Sequence, residues 1–286
     1  MKTFIKFLTG IFLSFGVCHA EELCHDSYYD IVGRDKISSD QVYFGDEFKK
    51  LESIKSIGGV QSKDRMPMFR SGELKIDSAF FFRVIPAVGV LGKNYKRIDM
   101  YFYPGYVRLG KTFYFVRGRS KVKSNICDFY GIIRVTDIHY FDFTYYLESE
   151  KEFYTEDLYK IIGEYYFVEN GRPEISGIFR GVWSADAYID GNDNVLRVDD
   201  RDGVADGYRN RTFVGVWKKD GDSSSPKLCI WGDGRLPFTF DFDVGSGGLF
   251  PNEIYSSPEW ESYISGEEVY FSNDGEFKVH YKNPWW

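Results

Sequence analysis

The chain has 286 residues, of which 43% are hydrophobic and 19% aromatic, and it carries 43 acidic against 36 basic side chains for a net charge of −7. That acidic balance argues against nonspecific nucleic-acid binding, which needs a basic surface. The length suits one large all-β domain or two small ones.

Residues 1–20 read as a secretory signal peptide. Lys2 and Lys6 form a charged start, Phe7–Val17 is apolar apart from Thr9 and Ser14, and Cys18-His19-Ala20 ends in the small residue that cleavage prefers. The apolar run is too short to span a bilayer, and bulky Val17 argues against lipid attachment at Cys18. The expectation is an exported protein, periplasmic or extracellular, with a mature chain from about Glu21 and no transmembrane segment after signal cleavage. Ala79–Leu91, the most apolar later stretch, is interrupted by Arg83 and Pro86. Residues 21–286 read as a single mostly β domain, with a possible subdivision near 145–160. The mature cysteines are Cys24, Cys127 and Cys229. An oxidising compartment favours one disulfide and one leftover thiol, with the pairing open. The spacings fit no zinc signature.

A short helix is predicted over about 46–57: Asp46 serves as cap, Phe48, Leu51 and Ile54 recur at three-residue steps, and Gly58-Gly59 ends it. Ser62–Gly72 is polar with one proline and reads as a loop. Leu74–Val90, Arg97–Tyr103, Thr112–Lys123 and Phe129–Phe143 are rich in β-branched and aromatic residues and read as strands. Pro104-Gly105 and Gly110-Lys111 punctuate them as turns. Ser149–Glu152 has the spacing of a capping box, and Phe153, Tyr154, Leu158, Ile161 and Ile162 follow at helical steps. A second helix is therefore predicted over about 150–162.

Strands resume at Glu164–Val168 and Ile175–Asp190. A turn at Asp190–Asn194 leads into Val195–Val198, and Thr212–Lys218, Lys227–Trp231 and Leu236–Val244 follow as strands. In Leu236–Val244, Phe238, Phe240 and Phe242 fall on one face. Gly245–Gly248 reads as a flexible loop. Glu268–Phe271 and Glu276–Tyr281 read as a hairpin around Asn273-Asp274-Gly275. Short strands with turns every 8–15 residues predict a mainly β fold, an antiparallel meander forming a barrel or sandwich, with one or two short helices.

One phrase occurs twice, 34 residues apart: Phe179-Arg-Gly-Val-Trp183 and Phe213-Val-Gly-Val-Trp217. Strand side chains alternate faces. Phe179, Gly181, Trp183, Ala185, Ala187 and Ile189 therefore share one face, and Arg180, Val182, Ser184, Asp186, Tyr188 and Asp190 the other. Glycine weakens a strand unless something needs the space, so a ring or a backbone is expected to cross over Gly181 and Gly215. The two copies predict similar strands of one sheet with Phe179, Trp183, Phe213 and Trp217 buried. Gly181-Val182-Trp183 and Gly215-Val216-Trp217 also resemble the G-x-W element that opens the first barrel strand of lipocalins. Here it falls late in the chain and twice, so the resemblance implies a barrel and nothing further.

For chemistry, the most suggestive stretch is Asp190–Asp206. Asp200, Asp202 and Asp206 have the flavour of an extracellular calcium loop. Counted from Asp190, however, Val195 and Arg201 stand where an EF-hand needs Gly and Glu. Solvated turn carboxylates are the plainer alternative. Glycoside hydrolysis needs two facing carboxylates, and no pair is marked out. His139 lies among Tyr140 and Phe141 and reads as packed. Cys24 and His25, adjacent on a strand, would point apart. Gly245–Gly248 lacks the setting of a nucleophile elbow, and no phosphate loop or dinucleotide fingerprint occurs. An outer-membrane barrel needs about ten residues of clean alternation per strand. The final stretch breaks this with Lys282, Asn283 and Pro284, so Trp285 and Trp286 are expected to plug one end of a soluble fold.

The expected function is non-catalytic binding of a small ligand, glycan or protein partner through an aromatic-lined face or cavity. Trp183, Trp217, Trp231 and Tyr188 are the candidate binding residues, and Asp200, Asp202 and Asp206 a candidate calcium site. The alternative is a secreted hydrolase acting on glycans or cell wall through paired Asp and Glu.

Overall fold

A computed structural model describes residues 39–53, 55–57, 60–147, 152–172, 174–191, 193–200, 209–219, 221, 225–245, 248–266, 269–272, 278–281 and 284–286. The signal segment, Cys24, Asp202, Asp206 and the Asn273-Asp274-Gly275 turn lie outside them.

Eight strands run in sequence order around a ring. They are β1 (Ala87–Leu91), β2 (Lys96–Phe102), β3 (Phe113–Val122), β4 (Asn125–Leu147), β5 (Glu152–Asn170), β6 (Gly177–Ile189), β7 (Arg209–Lys219) and β8 (Lys227–Gly234). Each pairs antiparallel with the next, and β8 returns to β1 through Cys229↔Leu91 to Gly232↔Val88. The result is an eight-stranded up-and-down barrel, the closed form of the expected meander. Strand β4 pairs with β3 only as far as Arg134, and β5 with β6 only from Tyr159. The β4–β5 hairpin therefore extends past its neighbours.

The repeated phrases pair with each other. Strands β6 and β7 are antiparallel, so each Phe faces the other copy's Trp: Phe179↔Trp217, Gly181↔Gly215, Trp183↔Phe213. A side chain on Gly215 would reach within 2.6 Å of the Tyr165 hydroxyl. The ring predicted to cross that glycine is thus Tyr165 of β5. Register carries this inward layer around the barrel, from Gly89 through Trp231, Phe213 and Trp183 to Gly163. The Phe213 ring stacks on Trp231 at 5.1 Å and on Trp183 at 6.1 Å. Offset stacks of this kind add to the area that the rings bury.

Outward residues are also covered. Val90, Ile230, Val214 and Val182 stand opposite one another on four successive strands. They pack under Phe48 of helix α1 (Ser39–Glu52) and under Phe242 and Trp260, the last in helix α3 (Pro258–Ser265). Helix α1 is anchored by Glu52, which is 3% exposed. Its carboxylate meets Lys160 of β5 at 3.0 Å and Arg209 of β7 at 2.6 Å. Burial works to raise that carboxyl, but the two cations outweigh it and hold it below the ordinary value. Helix α3 is held by Trp260 Nε1, which donates to the Tyr95 carbonyl at 2.8 Å.

One end of the barrel is plugged. Helix α2 (Met66–Ser71) and the segment after it bring Phe69, Leu74, Ile76, Phe80 and Phe81 into the interior cluster. Phe80 and Phe81 meet the Trp183 ring edge-on at 6.4 and 5.5 Å. Arg211 donates to the carbonyls of Phe80 and Phe82 at 3.0 Å each and to Asp233 at 2.6 Å, and Arg83 reaches the same carboxylate at 2.6 Å.

Several expectations fail for local reasons. From Glu152 on, the helix predicted over 150–162 is instead the start of β5, which pairs with β4 from Glu152 to Asn170 with one register shift between Ile162 and Gly163. Ile161 faces the interior and Ile162 the outer cluster, so long-range pairing of β-branched and aromatic residues overrides the capping-box spacing. The first helix starts earlier than predicted and stops at Glu52, because Ser56–Ile57 pairs with Val60–Gln61. Ser62–Gly72 holds helix α2 rather than a continuous loop. Within Leu74–Val90, only Lys75–Ile76 and the start of β1 are strand, and the rest forms the plug. Leu236–Val244 is not a strand: Phe238 and Phe240 have φ of 58° and 51°. Those left-handed residues break the alternation, leaving Phe242 fully buried and Phe240 73% exposed. Trp285 and Trp286 do not plug an end. Trp286 packs on Tyr101 of β2 at 5.2 Å, and Lys121 of β3 lies over Trp285. Cys127 and Cys229 are both free thiols, so they do not form the expected disulfide with each other; Cys24, the third cysteine of that expectation, lies outside the described residues.

Trp183→Ala and Trp231→Ala should each cost about 3–5 kcal/mol in urea unfolding, because each removes a fully buried ring that its layer cannot replace. Phe240→Ala, at an exposed turn, should stay within about 0.5 kcal/mol of wild type. Equal midpoints for all three variants would reject the aromatic layer as the core.

Candidate functional site

Among the described residues, none fills the end opposite the plug. Gly92, Lys93 and Asn94 between β1 and β2, Val122 and Asn125 of the β3–β4 hairpin, Glu174 and Ile175 before β6, and Ser225–Leu228 at the start of β8 line a cavity of about 740 Å³. That volume falls in the range of small-molecule pockets, roughly 300–1,000 Å³. Its apolar wall includes Leu91, Val122, Phe179 and Trp217, and the last two rings lie 6.5 Å apart.

Glu169 lines the cavity and ties four strands together. It follows Tyr165 and Phe167 on the inward face of β5. One carboxylate oxygen accepts from the Ser120 hydroxyl of β3 in a short hydrogen bond. The other accepts from the Gly177 N–H of β6 and from Trp217 Nε1 of β7, both at 2.9 Å. Burial pushes the Glu169 carboxyl above its ordinary value, and these three donors pull it back only in part. Cys127 also lines the cavity, and burial, then the nearby Glu169 and Asp128 charges, push its thiol up to about 11. Cys229, fully buried, is raised well above the ordinary value by burial.

Three ammonium groups stand on the rim. Lys93 comes from the β1–β2 turn, Lys96 from the start of β2 and Lys227 from the start of β8. The Lys227 ammonium lies 5.0 Å from the centre of the Trp217 ring. Glu174 lies on the rim too.

The four predicted binding residues do not converge. Trp183 and Trp231 are fully buried in the interior layer. The gap beside Trp183 measures about 20 Å³, room for about one water. Tyr188 alternates with Ala187 and Ile189 and belongs to the outward face of β6, where it pairs with Arg197. Trp217 alone reaches the cavity. Of the three predicted calcium ligands, Asp200 is exposed, and the described residues contain no group of three or more candidate metal ligands. Glu169, Ser120 and the rim lysines were missed. Glu169 had a readable signal, a charge at an inward position of a strand, whereas the lysines become neighbours only when the barrel closes.

No protein-family model, no curated protein and no solved structure matches this chain. Among the described residues no helix is long and apolar enough to cross a membrane.

Two measurements probe the cavity floor. In a Cys24→Ser background, Cys127 and Cys229 should label slowly with a thiol reagent near pH 8. A thiol at about 11 is only about one part in a thousand thiolate there. Both should react at once in denaturant, and fast labelling of the native protein would show an open floor.

Glu169 carries a pH signature. With its carboxyl raised by burial, the folded state holds that proton more tightly than the unfolded chain. Its contribution to stability is therefore fullest in acid. It declines as pH climbs from the unfolded value of about 4.3 toward the raised one. Glu169→Gln lacks that proton, so the difference in unfolding free energy should move against the wild type across this window. A flat difference, or one moving the other way, would exclude a raised carboxyl.

Proposed function

We propose that this is an exported, non-catalytic β-barrel protein that binds a small ligand in the cavity at its open end. The observation that carries the reading is the contrast between the two ends. One is filled by Phe80 and Phe81 and tied by Arg211, while the other leaves about 740 Å³ against Phe179 and Trp217. A pocket with an apolar wall and a few fixed polar groups is the usual form of a ligand site. Export rests on the reading of residues 1–20.

Hydrolysis of glycans is the second reading. It draws on Glu169 and Glu174 lining the same cavity. Against it, Glu169 already uses both oxygens on Ser120, Trp217 and Gly177, and a general acid needs a proton that is free to leave. Release of reducing ends from a polysaccharide, abolished by Glu174→Gln, would favour hydrolysis over binding.

The neutral fluorophore N-phenyl-1-naphthylamine tests the binding reading. The mature protein should enhance its emission saturably, and Val122→Trp, which fills the mouth, should weaken binding by at least about tenfold, the worth of about 1.4 kcal/mol. No saturable binding, or binding indifferent to Val122→Trp, would remove the cavity as the site.

A further inference from the structure

We propose that the cavity takes an anionic amphiphile, with its apolar body against Phe179 and Trp217 and its acidic head among Lys93, Lys96 and Lys227. The inference rests on the binding reading above and assigns the ligand's charge and orientation.

The three lysines occupy one side of the rim. The Gly92 N–H donates to the Leu228 carbonyl at 2.7 Å, which ties the β1–β2 turn to the start of β8. A side chain on Gly92 would stand 3.9 Å from Cβ and Cδ of Lys227. In a chain of net charge −7, twelve lysine and arginine side chains among the described residues pair with carboxylates. Among the described residues, none of the ion pairs involves Lys93, Lys96 or Lys227. Among the described residues the mouth thus carries three ammonium groups against the one carboxylate of Glu174, an excess of positive charge that raises its potential and attracts an anion.

The floor has the opposite character. Glu169 sits below the rim with its oxygens already committed, so an acidic head is repelled from the deep end and held at the mouth. The wall between floor and rim is apolar, formed by Leu91, Val122, Phe179 and Trp217. This sequence of carboxylate, apolar wall and ammonium rim orients a molecule tail-first. A cationic ligand would meet three like charges at entry. A sugar would want a bare aromatic face, and Lys227 already lies over Trp217.

Two probes with the same aromatic body separate charge from hydrophobicity: 1-anilinonaphthalene-8-sulfonate and uncharged N-phenyl-1-naphthylamine. With the full mature chain at low salt, the sulfonate should bind at least about tenfold more tightly, and the advantage should shrink as salt screens the rim. Replacing Lys93, Lys96 and Lys227 together by Gln should abolish the advantage and leave the neutral probe's affinity within about twofold. An unchanged unfolding midpoint would show that this variant folds, and Lys96→Glu alone should act in the same direction. Equal binding of both probes by the wild type overturns the charge assignment while leaving the cavity a binding site. So does sulfonate binding that survives the triple replacement. Sulfonate binding that survives Val122→Trp places the probe elsewhere and also overturns it. Failure of both probes to bind removes the binding reading together with this one.

Discussion

The structure depends on the contact between Gly181 and Gly215. The two glycines face each other across β6 and β7, and their missing side chains make the space that Tyr165 fills. A side chain at Gly215 would meet the Arg180 carbonyl and, at 2.6 Å, the Tyr165 hydroxyl, so the strand pair and the Tyr165 ring would both have to shift. That ring lies 5.3 Å from Phe213 and 5.1 Å from Trp231, so the neighbouring layer would move with it. The antiparallel pairing of the two phrases sets a large ring opposite a large ring above and below this waist. A barrel of eight strands leaves an interior just wide enough for side chains to fill, and here rings fill it.

Filling the middle decides what the ends can do. A ligand cannot pass the layer of Trp231, Phe213 and Trp183, so any site must sit above or below it. The lower end is sealed by a segment whose own carbonyls are bound by Arg211, and Asp233 balances that guanidinium. Such buried pairs add little net stability against an apolar alternative, but breaking one leaves a costly lone charge. They fix which segment enters the barrel. At the upper end, Glu169 takes its partners from barrel strands alone, which ties the wall together and leaves the opening free.

Much of this was legible in the sequence. Seven of the eight barrel strands fall on segments whose alternation or β-rich composition marked them, and the buried set of Phe179, Trp183, Phe213 and Trp217 follows from the repeated phrase. The first strand, Ala87–Leu91, was merged with the plug before it, because Phe80, Phe81 and Phe82 look like strand residues until Arg211 captures their backbone. The start of β5 was misread because Phe153, Leu158 and Ile161 satisfy a helical spacing as readily as a strand composition. Only its pairing with β4 decides between them. Two of the four predicted binding residues proved to be core for a reason the sequence also held. Trp183 alternates with Gly181 and Ala185 and Trp231 follows Cys229 on its face, so both stand on apolar faces as packing residues, and the wet end of a barrel has to be sought where such a face stops.

Inward charges mark where the face stops, and their partners tell a sealed end from an open one. On β5 the inward series Tyr165, Phe167 turns to Glu169. On β7 the interior run begins after Arg211, and Asp233 stands near the far end of β8. Each is an ionisable group that the barrel places at the limit of its ring-filled section, where a chain of neighbours can satisfy it. Arg211 and Asp233 are satisfied by an inserted segment, so their end is closed. Glu169 takes its hydrogen bonds from Ser120, Trp217 and Gly177 of the wall itself, so its oxygens are engaged without an inserted segment. The open end is therefore open without being unfinished: its deep carboxylate takes its hydrogen bonds from the wall itself. What a ligand can add lies at the apolar wall and at the ammonium rim above it.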